Sequence, residues 1–155
     1  VDVRQVAHEI KAAGINLLAN FIFGLANDSK ASMQRTLDLA LELNAEHTNF
    51  YPCMPLPGSP EYRRVAEDAS RLPDSYAGYS FHSYESKPSG TEYCTAGEVL
   101  AFRDRAWLSV ATNPRYLEMI AAKFGQDRAD AIREQAKIPL KRRLLESLRT
   151  TPRVR

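Results

Sequence analysis

Two cysteines, three histidines and one glycine are the residues of this sequence best placed to do chemistry. Cys53 and Cys94 stand far apart, and neither belongs to a CxxC or CxxxC pattern. That excludes a disulfide framework and a metal site contained in one short segment. Cys53 follows a β-prone run directly, where a nucleophile or ligand could sit. With no His or Cys at ligand spacing beside it, it reads as a small buried thiol. Cys94 precedes a helix start, a position that lowers a thiol's pKa. His47 stands at the amino end of a strand and reads as structural, whereas His8, on a helix flank, reads as solvated. His82 lies in a tyrosine-rich segment within reach of a substrate, although a satisfied surface histidine is the simpler reading. Gly24 lacks a Cβ and would let an adenine or sugar ring approach the backbone; a glycine that merely turns the chain explains it equally well. No P-loop, nucleophile elbow or carboxylate pair is present.

The elements that must position these residues follow from the apolar spacing. Residues 2–13 read as an amphipathic helix with Val3, Val6, Ala7 and Ile10 on one face and Gly14 as its stop. Residues 15–23 form an apolar run broken by Asn20, which reads as a strand buried on both faces. Asn27, Asp28 and Ser29 offer N-caps for a helix over 30–44, which Asn44 can end in the left-handed conformation. Thr48 to Tyr51 is β-prone and stops at Pro52. The order α-β-α-β implies parallel strands with a right-handed crossover. Two such strands cannot bury both faces and both edges, so the expectation is the closing part of a barrel enzyme.

Beyond Tyr51 the character changes. Four prolines in the nine positions 52–60 demand an extended, rigid loop, and Ser59-Pro60-Glu61 opens a short helix. Residues 71–94 read as an irregular covering loop packed by its own aromatics, since five of the seven tyrosines lie between Tyr62 and Tyr93. Thr95-Ala96-Gly97-Glu98 is a capping box, Asn113-Pro114 caps the next helix, and Gly125 stops it. A last helix from about Arg128 is expected to bend near Pro139, with Leu140, Leu144 and Leu148 as its stripe.

At 155 residues, 44% hydrophobic and 26% charged, the chain is long enough for a real core and is not of disordered type. It has no membrane-spanning apolar run and no secretory signal, so a cytoplasmic setting is the default. Val1 is not a methionine, and the expectation is a true start upstream. From Lys137 onward seven basic residues face Glu146 alone. Without interleaved aromatics this tail reads as a solvated helix face and frayed end rather than a platform for bases.

Two stretches carry a family resemblance. Asn20-Phe21-Ile22-Phe23-Gly24-Leu25-Ala26-Asn27 resembles the GxIxGxxE-type motif on the fifth strand of radical S-adenosylmethionine enzymes. Tyr51-Pro52-Cys53-Met54-Pro55-Leu56-Pro57-Gly58-Ser59-Pro60-Glu61-Tyr62 resembles the sixth-strand exit of members that carry an N-terminal cobalamin-binding domain. The segments 102–107, 113–117 and 123–125 look like the helical tail of those members. The resemblance implies an α/β fold: the last βα units of a partial TIM-type (βα)6 barrel over 1–70, then a covering loop and α-helical C-terminal extension over 71–155. It implies that Ile22, Gly24 and Leu56 border the adenine of S-adenosylmethionine, with Asn20 at the motif's first glycine position and Asn27 where its acid would be.

The CxxxCxxC triad that binds the 4Fe–4S cluster in this family is absent from these residues. The resemblance therefore places the cluster ligands outside this chain, in a missing N-terminal part of the same enzyme, with cobalamin as a possible further cofactor. In that family the reduced cluster cleaves S-adenosylmethionine to a radical that abstracts a substrate hydrogen, with methyl transfer or cyclisation and oxidation as outcomes. The expected partner is a small-molecule substrate. The alternatives are a non-catalytic module completing a partner's sheet and a basic-tail nucleic-acid adaptor.

Overall fold

A computed structural model describes residues 1–150 of the chain. The elements run α1 (Val3–Ala12), β1 (Leu18–Phe23), α2 (Lys30–Leu43), β2 (His47–Pro52), α3 (Pro60–Val65), α4 (Ala96–Ala111), α5 (Pro114–Phe124), α6 (Gln126–Ala136) and α7 (Arg143–Thr150). Two short 3-10 turns, Ala69–Arg71 and Tyr76–Tyr79, interrupt the irregular stretch before α4. The fold is mixed α/β and mostly helical, with β1 and β2 paired as two parallel strands in one small sheet.

The expected barrel is not there. Among the described residues two strands are all the sheet contains, and they close on nothing. β1 is also not buried on both faces: Leu18, Asn20 and Ile22 are exposed, with Leu18 at 56% and Ile22 at 50%, while Phe23 is fully buried. An apolar run records that side chains dislike water; it does not record whether a second layer covers them. The single bent terminal helix is likewise two helices, because Pro139 falls in a non-helical stretch between α6 and α7. Leu148, Arg149, Arg153 and Arg155 lie outside the described side chains.

Local chemistry explains most boundaries. Asp2 caps α1 by accepting from Arg4 N–H at 2.9 Å. Ser29 and Ser32 exchange side-chain-to-backbone hydrogen bonds at the start of α2, and Asn44 ends that helix at φ 47°. Thr95 and Glu98 form the expected capping box at α4, and Asn113 accepts from Arg115 N–H at 2.9 Å ahead of α5.

The chain divides into two compact units that interleave in sequence. The first comprises Val1–Phe21, Gln34–Phe50 and Arg105–Pro139. Its core includes Leu37, Ala40, Phe50, Val110, Leu117 and Ile120, and the rings of Phe21 and Phe50 lie 5.6 Å apart. Lys11 donates to the terminal carbonyls of Leu43 and Asn44 at 2.6 and 2.8 Å, meeting the negative end of α2. Glu46 is buried, and its carboxylate accepts from Leu17 N–H at 2.9 Å and from Lys123 Nζ. Burial pushes the Glu46 carboxyl up, but the bonds from Lys123 and Leu17 outweigh that and leave it below the ordinary carboxylate range.

The second unit comprises Ile22–Met33, Tyr51–Asp104 and Leu140–Arg155. Phe23, Met33, Val65, Val99 and Leu100 are its most buried apolar side chains, and Phe23 meets Phe102 edge-on at 5.0 Å. Each such side chain contributes on the order of 2 kcal/mol of hydrophobic stabilisation. Arg142, which the sequence places in the solvated basic tail, is instead buried here. It grips Asp104 with two bonds of 2.9 Å and donates to Ser83 C=O at 2.7 Å, and Arg103 adds a third bond to Asp104 at 2.9 Å. Replacing Asp104 by Asn would remove the carboxylate charge that both buried guanidiniums share. Urea unfolding of Asp104→Asn is expected to show a loss of about 3–5 kcal/mol; a loss below about 1 kcal/mol would mean that the guanidiniums find other partners.

Candidate functional site

The carboxyl ends of β1 and β2 lie side by side, and the chain that leaves them forms a concave apolar surface in the second unit. Cys53 N–H donates to Phe23 C=O at 2.7 Å, extending the ladder one residue past β2. A cleft of about 260 Å³ opens there, lined by Ile22 from β1, Tyr51 and Pro52 from β2, Cys53, Met54 and Leu56 from the following loop, and Phe81. Its wall is almost wholly apolar. Tyr51 and Phe81 meet edge-on at 5.0 Å, fixing the tilt of both rings.

Of the tyrosines in the irregular segment that supplies Phe81, Tyr79 is half-buried and the other three pack little. Tyr76 is almost fully exposed, and Tyr84 and Tyr93 are exposed as well. Polar bonds also hold the segment. Arg71 donates to Ser89 C=O at 3.0 Å, Arg64 to Gly90 C=O at 3.1 Å, and Ser89 Oγ to Glu61. Arg64 beside Glu61 holds that carboxyl below its usual range. Thr91 Oγ1 reaches back to Asp28 C=O at 2.7 Å.

Behind the cleft wall sits His82. Its Nδ1 lies 3.1 Å from Arg103 Nη2. A guanidinium can only donate, so Nδ1 must accept and the ring proton resides on Nε2. Burial, with Arg103 and Arg142 nearby, pushes the His82 pKa down. The imidazole is thus held neutral in one tautomer.

The residues singled out in the sequence are sorted by this geometry. Ile22 and Leu56 share the cleft. Asn20 does not line it; its Oδ1 accepts from Asn49 Nδ2 at 2.9 Å. Gly24 adopts φ +86°, as a turning glycine would, but the space on its Cβ side is taken: a Cβ there would stand 2.5 Å from a Val99 methyl. The close approach that Gly24 permits here is to Val99 of α4. Asn27, at the family's acid position, makes no described side-chain bond, whereas Asp28 accepts from Gly24 and Leu25 N–H at 3.0 and 3.1 Å and fastens the turn. His47 begins β2 and is exposed, and His8 is exposed on α1. Phe81 and the Arg103–Asp104–Arg142 group carry no signal in the sequence, whereas Asp28, read there as an N-cap candidate, also fastens the Gly24 turn.

Cys53 is half-buried, and burial together with the Glu61 charge pushes its thiol up to about 11. With its thiol pushed up in this way, Cys53 is largely protonated near neutrality. Among the described residues no three His, Cys, Asp or Glu side chains converge to hold a metal ion, and no helix is long and apolar enough to cross a membrane. Compared with protein-family models and with curated proteins, the chain matches none.

Because the thiolate fraction at pH 8 is only about 0.1% for a pKa near 11, alkylation of Cys53 by iodoacetamide is expected to quicken about tenfold per pH unit from neutrality to pH 10. Peptide-resolved mass spectrometry checks this. A rate that levels off below about pH 9 would contradict the assignment.

Proposed function

We propose that this chain is the carboxyl-terminal part of a radical S-adenosylmethionine enzyme and that its apolar cleft shelters the adenine of the cofactor. The observation that carries the reading is the convergence of Ile22 and Leu56, two of the four residues that the family motifs set against adenine, on one cleft at the strands' carboxyl ends. Sheet carboxyl ends are where α/β proteins place ligands. At about 260 Å³ the cleft lies just below the range that buries a drug-sized molecule, a size suited to a heterocyclic base rather than a whole cofactor. Flat apolar walls and a fixed aromatic pair suit a purine face.

The fit does not extend to the iron–sulfur cluster. The Cys53 thiol is pushed up, Cys94 is buried, and the sequence holds no third cysteine. Cluster ligands would come from other polypeptide, and the chain alone would be inactive. When bound, S-adenosylmethionine supplies the group that starts radical chemistry on the substrate. This chain's own contribution is to bind the base, orient it and exclude water. The substrate would be a small molecule, and methyl transfer and cyclisation or oxidation both remain compatible with the cleft.

A second reading, an interaction module that completes a partner's sheet, draws on the exposed Leu18 and Ile22 of β1. The nucleic-acid adaptor loses ground because Arg142 of the basic tail is spent on Asp104.

Saturation-transfer NMR with S-adenosylmethionine tests the adenine site. A millimolar Kd, about −4 kcal/mol, is expected, with transfer strongest to the adenine protons and abolished by Ile22→Asp or Leu56→Asp. Uniform transfer along the ligand, or transfer indifferent to both substitutions, would overturn the site.

A further inference from the structure

The first unit contains a larger cavity, of about 530 Å³, well within the range of small-molecule sites. Trp107, Val110, Ile120, Phe124 and Ile132 form its apolar walls, and Arg128 and Gln135 stand among them. Asn16, His47 and Thr48 also line it, and the Glu46 carboxylate and the Tyr116 hydroxyl are already committed. Glu46 accepts from Lys123 and from Leu17 N–H, and Tyr116 Oη lies 3.4 Å from Glu46 C=O.

Arg128 is different. It is exposed on the first turn of α6, and its guanidinium forms no ion pair or hydrogen bond with another described residue. The acids further along that helix are taken, Asp130 by Arg133 and Glu134 by Lys137. Arg128 is close enough to Tyr116 to oppose the upward push that burial gives the phenol. Positive charge is also in excess around Glu46. Lys123 and Arg115 reinforce the effect of burial in lowering the Lys11 pKa, against the pull of that one carboxylate.

We infer that this cavity is a second binding site, one that takes a small amphipathic organic anion. Its aromatic or aliphatic body lies against Trp107, Phe124 and Ile132, and its carboxylate or sulfonate pairs with Arg128. An apolar wall with a single unspent guanidinium selects that chemistry: a cation meets an excess of like charge, and a neutral molecule forgoes the charge-assisted bond. The inference does not rest on the adenine reading, since cleft and cavity belong to different units.

Trp107 is the only tryptophan in the chain and lines this cavity, so its quenching follows binding there when read together with the Arg128 variants. The probe is anilinonaphthalene sulfonate, an aromatic anion that accepts energy from tryptophan; its uncharged analogue phenylnaphthylamine is the comparison. The sulfonate is expected to quench Trp107 saturably with one site per chain, and to bind at least about tenfold more tightly than the neutral analogue. Arg128→Ala, a substitution at an exposed position, should weaken the sulfonate about tenfold and leave the neutral analogue unchanged. Arg128→Lys should recover part of the loss. Equal affinity for the two probes, quenching that does not saturate, or sulfonate binding unaltered in Arg128→Ala would each overturn the inference.

Discussion

The backbone bond from Cys53 N–H to Phe23 C=O decides what this chain can present. Parallel strands share no hairpin, so nothing local keeps β1 and β2 together; only their ladder and the side chains beneath it do. At the other end His47 N–H donates to Leu17 C=O at 3.1 Å with the same offset, so the pair runs in one register from end to end. A slip of one residue would turn Ile22 away from Tyr51 and carry Phe23 out of its buried position. The cleft is a consequence of that register. Its floor is two strand ends, and its far wall is the proline-rich loop that cannot fold back into helix or sheet.

Buried charge serves each unit in a different way. Around Glu46 a single carboxylate gathers a backbone N–H from before β1 and an ammonium from α5, tying segments distant in sequence. Around Asp104 two guanidiniums converge, and one of them also sets the tautomer of His82. Such groups are costly to desolvate, and breaking them costs more than they add when intact. Their value lies in specifying one arrangement of loops that otherwise carry little apolar area. The exposed Tyr76, Tyr84 and Tyr93 make the same point from the opposite side: polar bonds as well as aromatic contacts hold that segment.

What the sequence revealed and what it hid follow from how far each interaction reaches along the chain. Ser59-Pro60, Thr95 with Glu98, Asn113-Pro114, Asn44 and Gly125 act within four residues, and the helix ends appear where those residues put them. The expected barrel is not found among the described residues; the run from Asn16 to Leu25 is equally apolar whether or not a second layer covers it. Gly24 showed its turn but not its neighbour, since Val99 lies far along the chain. Arg142 looked like one more basic residue of a tail because nothing near it in sequence announces Asp104. Of the four residues set against adenine, Ile22 and Leu56 meet in the cleft, Asn20 is paired with Asn49, and Gly24 is packed against α4.

Residue-resolved amide hydrogen exchange tests the register most directly. If the strand pair holds the cleft as described, the Cys53 amide, although it lies past the end of β2, exchanges as slowly as the amides within the strand, and its protection disappears only with global unfolding in urea. Exchange of that amide at the rate of an open loop, while the helices stay protected, would mean that the ladder does not reach Cys53 and that the cleft has no fixed floor.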